Sequence, residues 1–367
     1  MAHIAVFVAG LIAIAIAFWD AFEVVVLPRT VTRRFRLART YFKWTWRGWS
    51  RVVEPVRSEG RRERVLSVYG PLSLVGLIAV WAVALIIGFA ALQWSVGSRM
   101  QKLAGGKITF ADDVYMSGTT FFTLGLGDVH PVSRAARVLT VAESGLGFGF
   151  LALVIAYFPV LYQSFSRREV RLTLLDAWAG SPPAAGEILR RLAEAGDVAA
   201  LDHFLREWEY WCSEILESHI SYPVIAFFRS QHQRQSWVSA LATILDVSAL
   251  VSVAVEASPP WQAHVTFAIA RHAAVDLTQV LYATPDEDGE RLPDAELERL
   301  LAQLRAAGLR LRPSADVAKP LKELRRLYEP YIAGIARSLL VPLPPWWRES
   351  PRPDNWQTSP RRHPAHL

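Results

Sequence analysis

Three long apolar segments shape the first half of the chain, at residues 2–27, 71–96 and 138–163. About 20 consecutive apolar residues are enough for a helix to span a bilayer, so each segment predicts a transmembrane helix. The first contains Asp20 and Glu23, one helical turn apart. We expect these acids to reach the membrane interface or to pair with the arginines that follow, and a functional role within the membrane is the alternative.

A basic segment separates the first two apolar runs. Residues 29–69 contain twelve Arg and Lys against three Glu, and loops so rich in positive charge stay on the cytoplasmic side. Trp44, Trp46 and Trp49 alternate with the basic residues, a pattern typical of an amphipathic helix on the inner leaflet. We expect contacts with anionic lipid through Arg33, Arg34, Arg36 and Arg39. A voltage sensor is disfavoured by the spacing of the arginines, and nucleic-acid binding is not expected directly after a membrane span.

The second half of the chain has the apolar periodicity of amphipathic helices. The pattern predicts helices over 197–220, 237–256, 262–282, 294–307 and 318–339. Residues 237–256 are apolar enough for a fourth span, but Asp246 and several hydroxyl residues interrupt them, so we expect a buried helix of a cytoplasmic bundle. The tail over 342–367 is rich in Pro, Trp and Arg, and the composition predicts disorder.

Charge fixes the predicted orientation, with the N-terminus outside and the C-terminus in the cytoplasm of an integral protein of the cell membrane. The predicted fold class is an all-α membrane protein with three transmembrane helices. Five segments follow in the sequence: a first transmembrane helix (1–28), a basic amphipathic segment (29–69), a central module (70–168), a cytoplasmic helical domain (169–341) and the tail (342–367).

Composition agrees with a membrane protein, because 52% of the residues are hydrophobic and the mean hydropathy is positive. The single cysteine, Cys212, excludes an intrachain disulfide framework. The chain has no H-E-x-x-H metal motif, no phosphate-binding glycine loop and no G-x-S-x-G motif. An enzyme is therefore not expected, and no cofactor is predicted.

The most informative stretch lies between the second and third apolar runs. Residues 117–131 read SGTTFFTLGLGDVHP, with Gly125 and Gly127 alternating with Leu124 and Leu126 and with Asp128 closing the run. Glycine tolerates backbone angles that other residues avoid, so alternating glycines allow an extended chain whose carbonyls turn to one side. A ring of carbonyls can replace the water shell of a monovalent cation. The preceding short helix, about 114–122, is too short to span the bilayer and is predicted to be re-entrant.

This stretch resembles the pore loop of potassium channels, whose filter reads Thr-x-Gly-(Tyr/Phe/Leu)-Gly-Asp. The resemblance implies K⁺ sites at the carbonyls of Thr123, Leu124, Gly125 and Leu126, with Gly127 and Asp128 at the outer mouth. Because a filter needs four loops and the chain has one, it also implies a homotetramer. A glycine of the following span acts as a hinge in related channels, and the gating candidates are Gly145, Gly147, Gly149 and Pro159, with packing alone as the alternative role of the glycines.

Two positions depart from the commonest channel pattern. Leu126 stands where Tyr or Phe is usual, and Tyr115 and Met116 stand where an aromatic pair often braces the filter. Selectivity for K⁺ over Na⁺ is therefore a weaker expectation than conduction. The sequence predicts a passive, potassium-selective cation channel and leaves open a non-selective channel or a non-conducting receptor or scaffold that signals through its helical domain. Glu143 is expected to pair with Arg134 or Arg137, or to form a hydrogen bond behind the filter.

Overall fold

The computed structural model describes residues 1–27, 37–97, 100–103, 105–197, 199–232, 234–256, 260–287 and 289–348. These residues form twelve α-helices and one pair of short strands. The chain divides into two compact units, Met1–Tyr162 and Gln163–Leu367. The division falls six residues before the end predicted for the central module at residue 168.

The first unit contains five helices and the strand pair. The elements are α1 (Ala2–Val25), α2 (Leu37–Val53), α3 (Glu59–Ser95), β1 (Met100–Lys102), α4 (Phe110–Phe121), β2 (Val129–Pro131) and the first part of α5 (Arg134–Ala179). Helix α1 packs along α3, which also contacts α2 and α4. Trp81 and Leu85 of α3 lie in the buried core of this unit together with Ala17 and Ala21 of α1. Small residues on α1 let the two helices approach closely.

Both acids of α1 are buried within the first unit. The carboxylate of Asp20 accepts hydrogen bonds from the Ala38 backbone N–H and from Trp81 Nε1, the latter at 2.9 Å. Glu23 accepts a hydrogen bond from Trp19 on its own helix. The position of these acids at the membrane interface stays a prediction. Arg29, Arg33, Arg34 and Arg36, the arginines that follow α1 directly, lie outside the described residues.

Helix α2 is amphipathic, but its tryptophans do not share one environment. Trp46 packs against Tyr69 of α3 with ring centroids 4.8 Å apart, and Trp49 Nε1 donates to the Val65 carbonyl. Only Trp44 of the three is exposed. Trp46 and Trp49 therefore contact α3, and the position of α2 on the inner leaflet stays a prediction. Of the predicted lipid contacts, Arg39 is half-buried, and Arg33, Arg34 and Arg36 lie outside the described residues.

Two helices extend beyond their apolar runs. Helix α3 begins at Glu59, so Pro71 lies inside the helix rather than at its start as predicted. Helix α5 runs from Arg134 to Ala179 and contains Pro159. In both cases the polar residues next to the apolar run have helical propensity and continue the helix. The hydrophobic pattern marks only the part of the helix that is suited to a membrane.

The second unit is a helical bundle around α8. Its elements after α5 are α6 (Ala185–Glu194), α7 (Ala200–Ser221), a short 3-10 helix (Pro223–Phe227), α8 (Trp237–Ala254), α9 (Pro260–Val280), α10 (Asp294–Ala306), α11 (Ser314–Arg326) and α12 (Glu329–Leu339). Four helices in the described residues are long and apolar enough to cross a membrane: those over His3–Val25, Glu59–Ser95, Arg134–Ala179 and Trp237–Ala254. Other helices of its unit bury 94% of the last, which supports the interpretation of α8 as a core helix.

Two predictions for this unit need correction. The helix predicted over 318–339 is divided into α11 and α12 near Tyr328, whose buried hydroxyl donates to Asp246 at 2.6 Å. Residues 342–348 were predicted to be disordered, but they pack on the bundle. Trp346 is buried, and its carbonyl accepts a hydrogen bond from the Gly186 N–H. The large apolar surface of the indole explains why this part of a proline-rich tail is held.

Candidate ion pathway

The pore helix α4 begins at a well-defined cap. The Asp112 carboxylate accepts hydrogen bonds from the backbone N–H and the hydroxyl of Thr109, both at 2.7 Å. Lys102 of β1 lies 2.7 Å from the same carboxylate. The hydrogen bonds from Lys102 and Thr109 lower the pKa of Asp112 to about 2. The first turn of α4 therefore carries a fixed negative charge, which suits the positive end of the helix dipole.

At its other end α4 leads directly into the predicted filter. The backbone N–H groups of Leu124 and Gly125 both point to the Thr119 carbonyl, at 2.8 and 3.3 Å. The Thr123 N–H donates to the Thr120 carbonyl. The last turn of the helix thus holds the N–H groups of the loop, and the C-terminal end of the helix, where its dipole is negative, lies at the start of the filter. A cation is favoured at this position.

In the loop from Thr123 to Gly127, every second residue has a positive φ. Thr123, Gly125 and Gly127 have φ values of 60°, 57° and 78°, whereas the leucines between them are not in this left-handed region. Glycine adopts such angles at little cost, but a β-branched threonine at positive φ is an outlier that the surrounding structure must enforce. Strain of this kind clusters at functional sites. The positive φ values at Gly125 and Gly127 use the conformational freedom of glycine, and the turning of the loop carbonyls to one side stays a prediction.

Hydrogen bonds hold the outer end of the loop. The Tyr115 hydroxyl donates to the Asp128 carboxylate at 2.9 Å, and the Asp128 carbonyl accepts from the Leu103 N–H at 2.8 Å. The antiparallel pairing of β1 with β2 follows immediately, with Gln101 opposite His130. Tyr115 therefore braces the end of this loop through its hydroxyl. The sequence showed only that Tyr115 and Met116 replace the aromatic pair that is usual at these positions in channels.

A buried polar contact lies behind α4. The Ser117 hydroxyl is within hydrogen-bond distance of the Ile86 carbonyl on α3, at 2.8 Å, and of the Glu143 carboxyl on α5. Ser117 and Glu143 are both fully buried. Of the two expectations for Glu143, the hydrogen bond behind the filter is the one observed, and the preferred pairing with an arginine is wrong. One serine thus connects the pore helix to both neighbouring helices.

The four gating candidates differ in their surroundings. A Cβ atom built on Gly147 would lie 2.3 Å from the Phe121 carbonyl at the end of α4, whereas at Gly145 and Gly149 it would meet nothing within 4 Å. Gly147 therefore allows a close approach of α5 to the pore helix. Gly145 and Gly149 leave open space on the surface of this chain. A hinge at any of these glycines or at Pro159, which lies within the continuous helix α5, stays a prediction.

Sequence reasoning singled out residues 123–128, whose role as a filter stays a prediction, but missed the contacts that hold this loop. Tyr115, Ser117 and the Thr119 carbonyl have no pattern that distinguishes them from other residues of an uncharged helix. In the described part of the chain, no group of three or more His, Cys, Asp or Glu side chains is placed to hold a metal ion. The backbone carbonyls of the loop are the groups with the chemistry for a monovalent cation.

Comparisons with known proteins agree with this geometry. Residues 76–163 match the family described as "Ion channel". The uncharacterized membrane protein YdjJ of Bacillus subtilis (strain 168) is 22% identical to this chain over 262 residues, which cover 70% of this chain and 74% of the relative. No solved structure matches.

The matched region contains the apolar part of α3, the pore helix, the loop from Thr123 to Asp128 and the apolar part of α5. Its helices are those of an integral membrane protein. Residues 76–163 are therefore an ion-channel pore module of the potassium-channel type.

Proposed function

We propose that the protein is a passive, potassium-selective cation channel of four identical chains. The observation that carries the proposal is the positive φ at Thr123, Gly125 and Gly127, every second residue of the loop. This loop follows the pore helix α4 and lies in the sequence between the apolar helices α3 and α5. In this proposal the carbonyls of residues 123–126 replace the water around K⁺, and ions move by repulsion between adjacent sites.

Exposed apolar surface in the pore module supports the tetramer. Leu124 and Leu126 are 64% and 63% exposed, and a Cβ atom on Gly125 would meet nothing within 4 Å. On α5, Val141 and Phe148 are also largely exposed. Lipid can cover the outer faces of the helices, but irregular backbone at membrane depth must be surrounded by protein or water. Three further copies of the loop around a water-filled axis would meet this requirement.

The topology proposed with this function has three spans per chain. They are α1 and the apolar parts of α3 and α5, with the N-terminus outside and the bundle of the second unit in the cytoplasm of a cell-membrane protein. The basic residues between α1 and α3 support this orientation. The burial of α8 within its own unit supports three spans rather than four.

The proposal is tested by ion flux through purified protein in liposomes. Substitution Gly125→Ala should abolish flux, because alanine at a φ of 57° is strained and the loop must leave its alternating conformation. Gly60→Ala is the matched control, since Gly60 is helical, lies outside the pore module and has open space around it. Undiminished flux in Gly125→Ala protein would show that the proposed loop is not the ion pathway.

The second candidate, a non-conducting receptor or scaffold, is favoured by one observation, the leucine at position 126 where an aromatic residue is usual. It predicts no flux from correctly assembled wild-type protein. The same liposome experiment therefore separates the two functions.

A further inference from the structure

The second unit contains a cleft beside the segment that follows α12. The cleft has a volume of about 660 Å³, within the range of small-molecule sites in proteins. Helix α10 contributes Glu296, Arg299 and Gln303, and the segment after α12 contributes Trp346, Trp347 and Arg348. The ion pathway of the first unit uses none of these residues.

We propose that this cleft binds a phosphate-bearing aromatic anion of the nucleotide class. Guanidinium groups bind phosphate through paired hydrogen bonds, and indole rings offer flat apolar faces on which a base can stack. The cleft combines both kinds of group within the size of one nucleotide-like ligand. This inference does not depend on conduction by the pore module.

The charge of the cleft favours an anion. Arg291, at its floor, is already neutralised by Asp246, with hydrogen bonds of 3.1 and 2.7 Å to the two carboxylate oxygens. The other charged side chains that line the cleft are Arg299, Arg348 and Glu296. Arg299 and Glu296 are 3.8 Å apart and largely exposed, so the pair is weak and can exchange for a ligand phosphate.

Two N–H groups in the side chains that line the cleft have no hydrogen-bond partner in the described part of the chain. They are the Nε1 group of Trp346 and the Nε group of Arg291. Trp346 is only 3% exposed, and a buried donor without an acceptor is unfavourable. An acceptor supplied by a ligand in the cleft would remove this cost.

The two indoles have different roles in this proposal. Trp346 already has guanidinium groups over its ring, from Arg291 at 5.9 Å and Arg325 at 5.7 Å. This packing anchors the segment and leaves the half-buried Trp347 as the stacking surface. Trp347 is held in place by Gly186, where a Cβ atom would lie 2.5 Å from the indole. The stacking surface is therefore fixed before a ligand binds, which reduces the entropy cost of binding.

Binding to the full-length protein in detergent, measured by titration calorimetry, tests the proposal with three probes: ATP, inorganic triphosphate and adenosine. We expect saturable ATP binding in or below the millimolar range, with both other probes weaker because each lacks one of the two groups. Substitution Arg299→Glu should weaken ATP binding by about tenfold or more, the effect of losing a charged hydrogen bond. Arg326→Glu, an exposed arginine on α11 outside the cleft, is the matched control and should not weaken it.

Three results would overturn the inference. One is the absence of saturable ATP binding, and another is equal affinity for ATP and inorganic triphosphate, which would mean that no ring is recognised. The third is an equal effect of Arg299→Glu and Arg326→Glu, which would place binding elsewhere. Since calorimetry does not require ion flux, a failure here is distinguishable from a failure of the proposed channel function.

Discussion

At the scale of single residues, two contacts behind the filter determine how the pore helix is held. Ser117 bonds to α3 and to Glu143 of α5, and Gly147 lets α5 approach the end of α4. Neither position is in the filter. Both lie on the surfaces that fix the direction of α4, and thus the direction of its C-terminal dipole.

Substitution Gly147→Ala should destabilise the protein by about 1–3 kcal/mol, the usual cost of overpacking. The reason is that the added Cβ would lie 2.3 Å from the Phe121 carbonyl. Gly145→Ala and Gly149→Ala are matched controls on the same helix, with open space at the added atom. Thermal unfolding in detergent measures the difference. Equal midpoints for all three variants would mean that the close approach of α5 to α4 is not present in solution.

Substitution Glu143→Ala should cost about 1–3 kcal/mol, because it removes one partner of a buried hydrogen bond. Glu143→Gln keeps a hydrogen-bonding group of similar size, so it should retain most of the stability and the K⁺ to Na⁺ flux ratio of the wild type. The exposed Glu298→Ala serves as a surface control. If Glu143→Ala leaves both the thermal midpoint and the flux ratio unchanged, the contact with Ser117 does not position the pore helix.

At the scale of elements, the hydrophobic pattern predicts which helices exist better than it predicts where they end. The apolar runs of α3 and α5 were evident, but their polar extensions were not, because periodicity does not distinguish a helix that continues from one that stops. The division between α11 and α12 has a local signal in Pro330, which lies in the first turn of α12, and the neighbouring Tyr328 reaches Asp246, 82 residues away in sequence. The glycine spacing marked the loop that is proposed as a filter, whereas the bracing of this loop by Tyr115 depends on tertiary geometry that no local pattern contains.

Helix α7 contains a buried histidine that makes the stability of the second unit depend on pH. Burial, together with the charge of Arg168, lowers the pKa of His219 from 6.5 to about 3. Below pH 6.5 the unfolded chain therefore binds a proton that the folded chain does not, and stability falls as the pH is lowered toward 3. The slope from this one group is about 1.4 kcal/mol per pH unit.

Substitution His219→Phe should reduce this slope, because the ring against Trp237 is kept and the titrating group is removed. Tryptophan fluorescence of the full-length protein during thermal unfolding, recorded at several pH values, measures the effect. His203→Phe is the control, since His203 is largely exposed and lies on the same helix. The same pH dependence in His219→Phe and wild-type protein would contradict the assignment.

At the scale of the whole molecule, the proposed topology predicts which residues face each side of the membrane. Lys107→Cys, in the loop before α4, should react with a membrane-impermeant maleimide in intact cells. Arg326→Cys, on α11, should react only after lysis. The native Cys212 should not be labelled, because it is fully buried and burial raises the pKa of its thiol. The opposite labelling pattern would reverse the proposed orientation.

The central claim is that the loop from Thr123 to Asp128 forms a cation filter in an assembly of four chains. The most direct measurement is K⁺ flux compared with Na⁺ flux through the purified protein in liposomes, with the Gly125→Ala variant alongside. We expect K⁺ flux well above Na⁺ flux in the wild-type protein, and no flux of either ion in the variant. Equal K⁺ and Na⁺ flux would contradict selectivity, and flux that persists in the variant would contradict the filter itself.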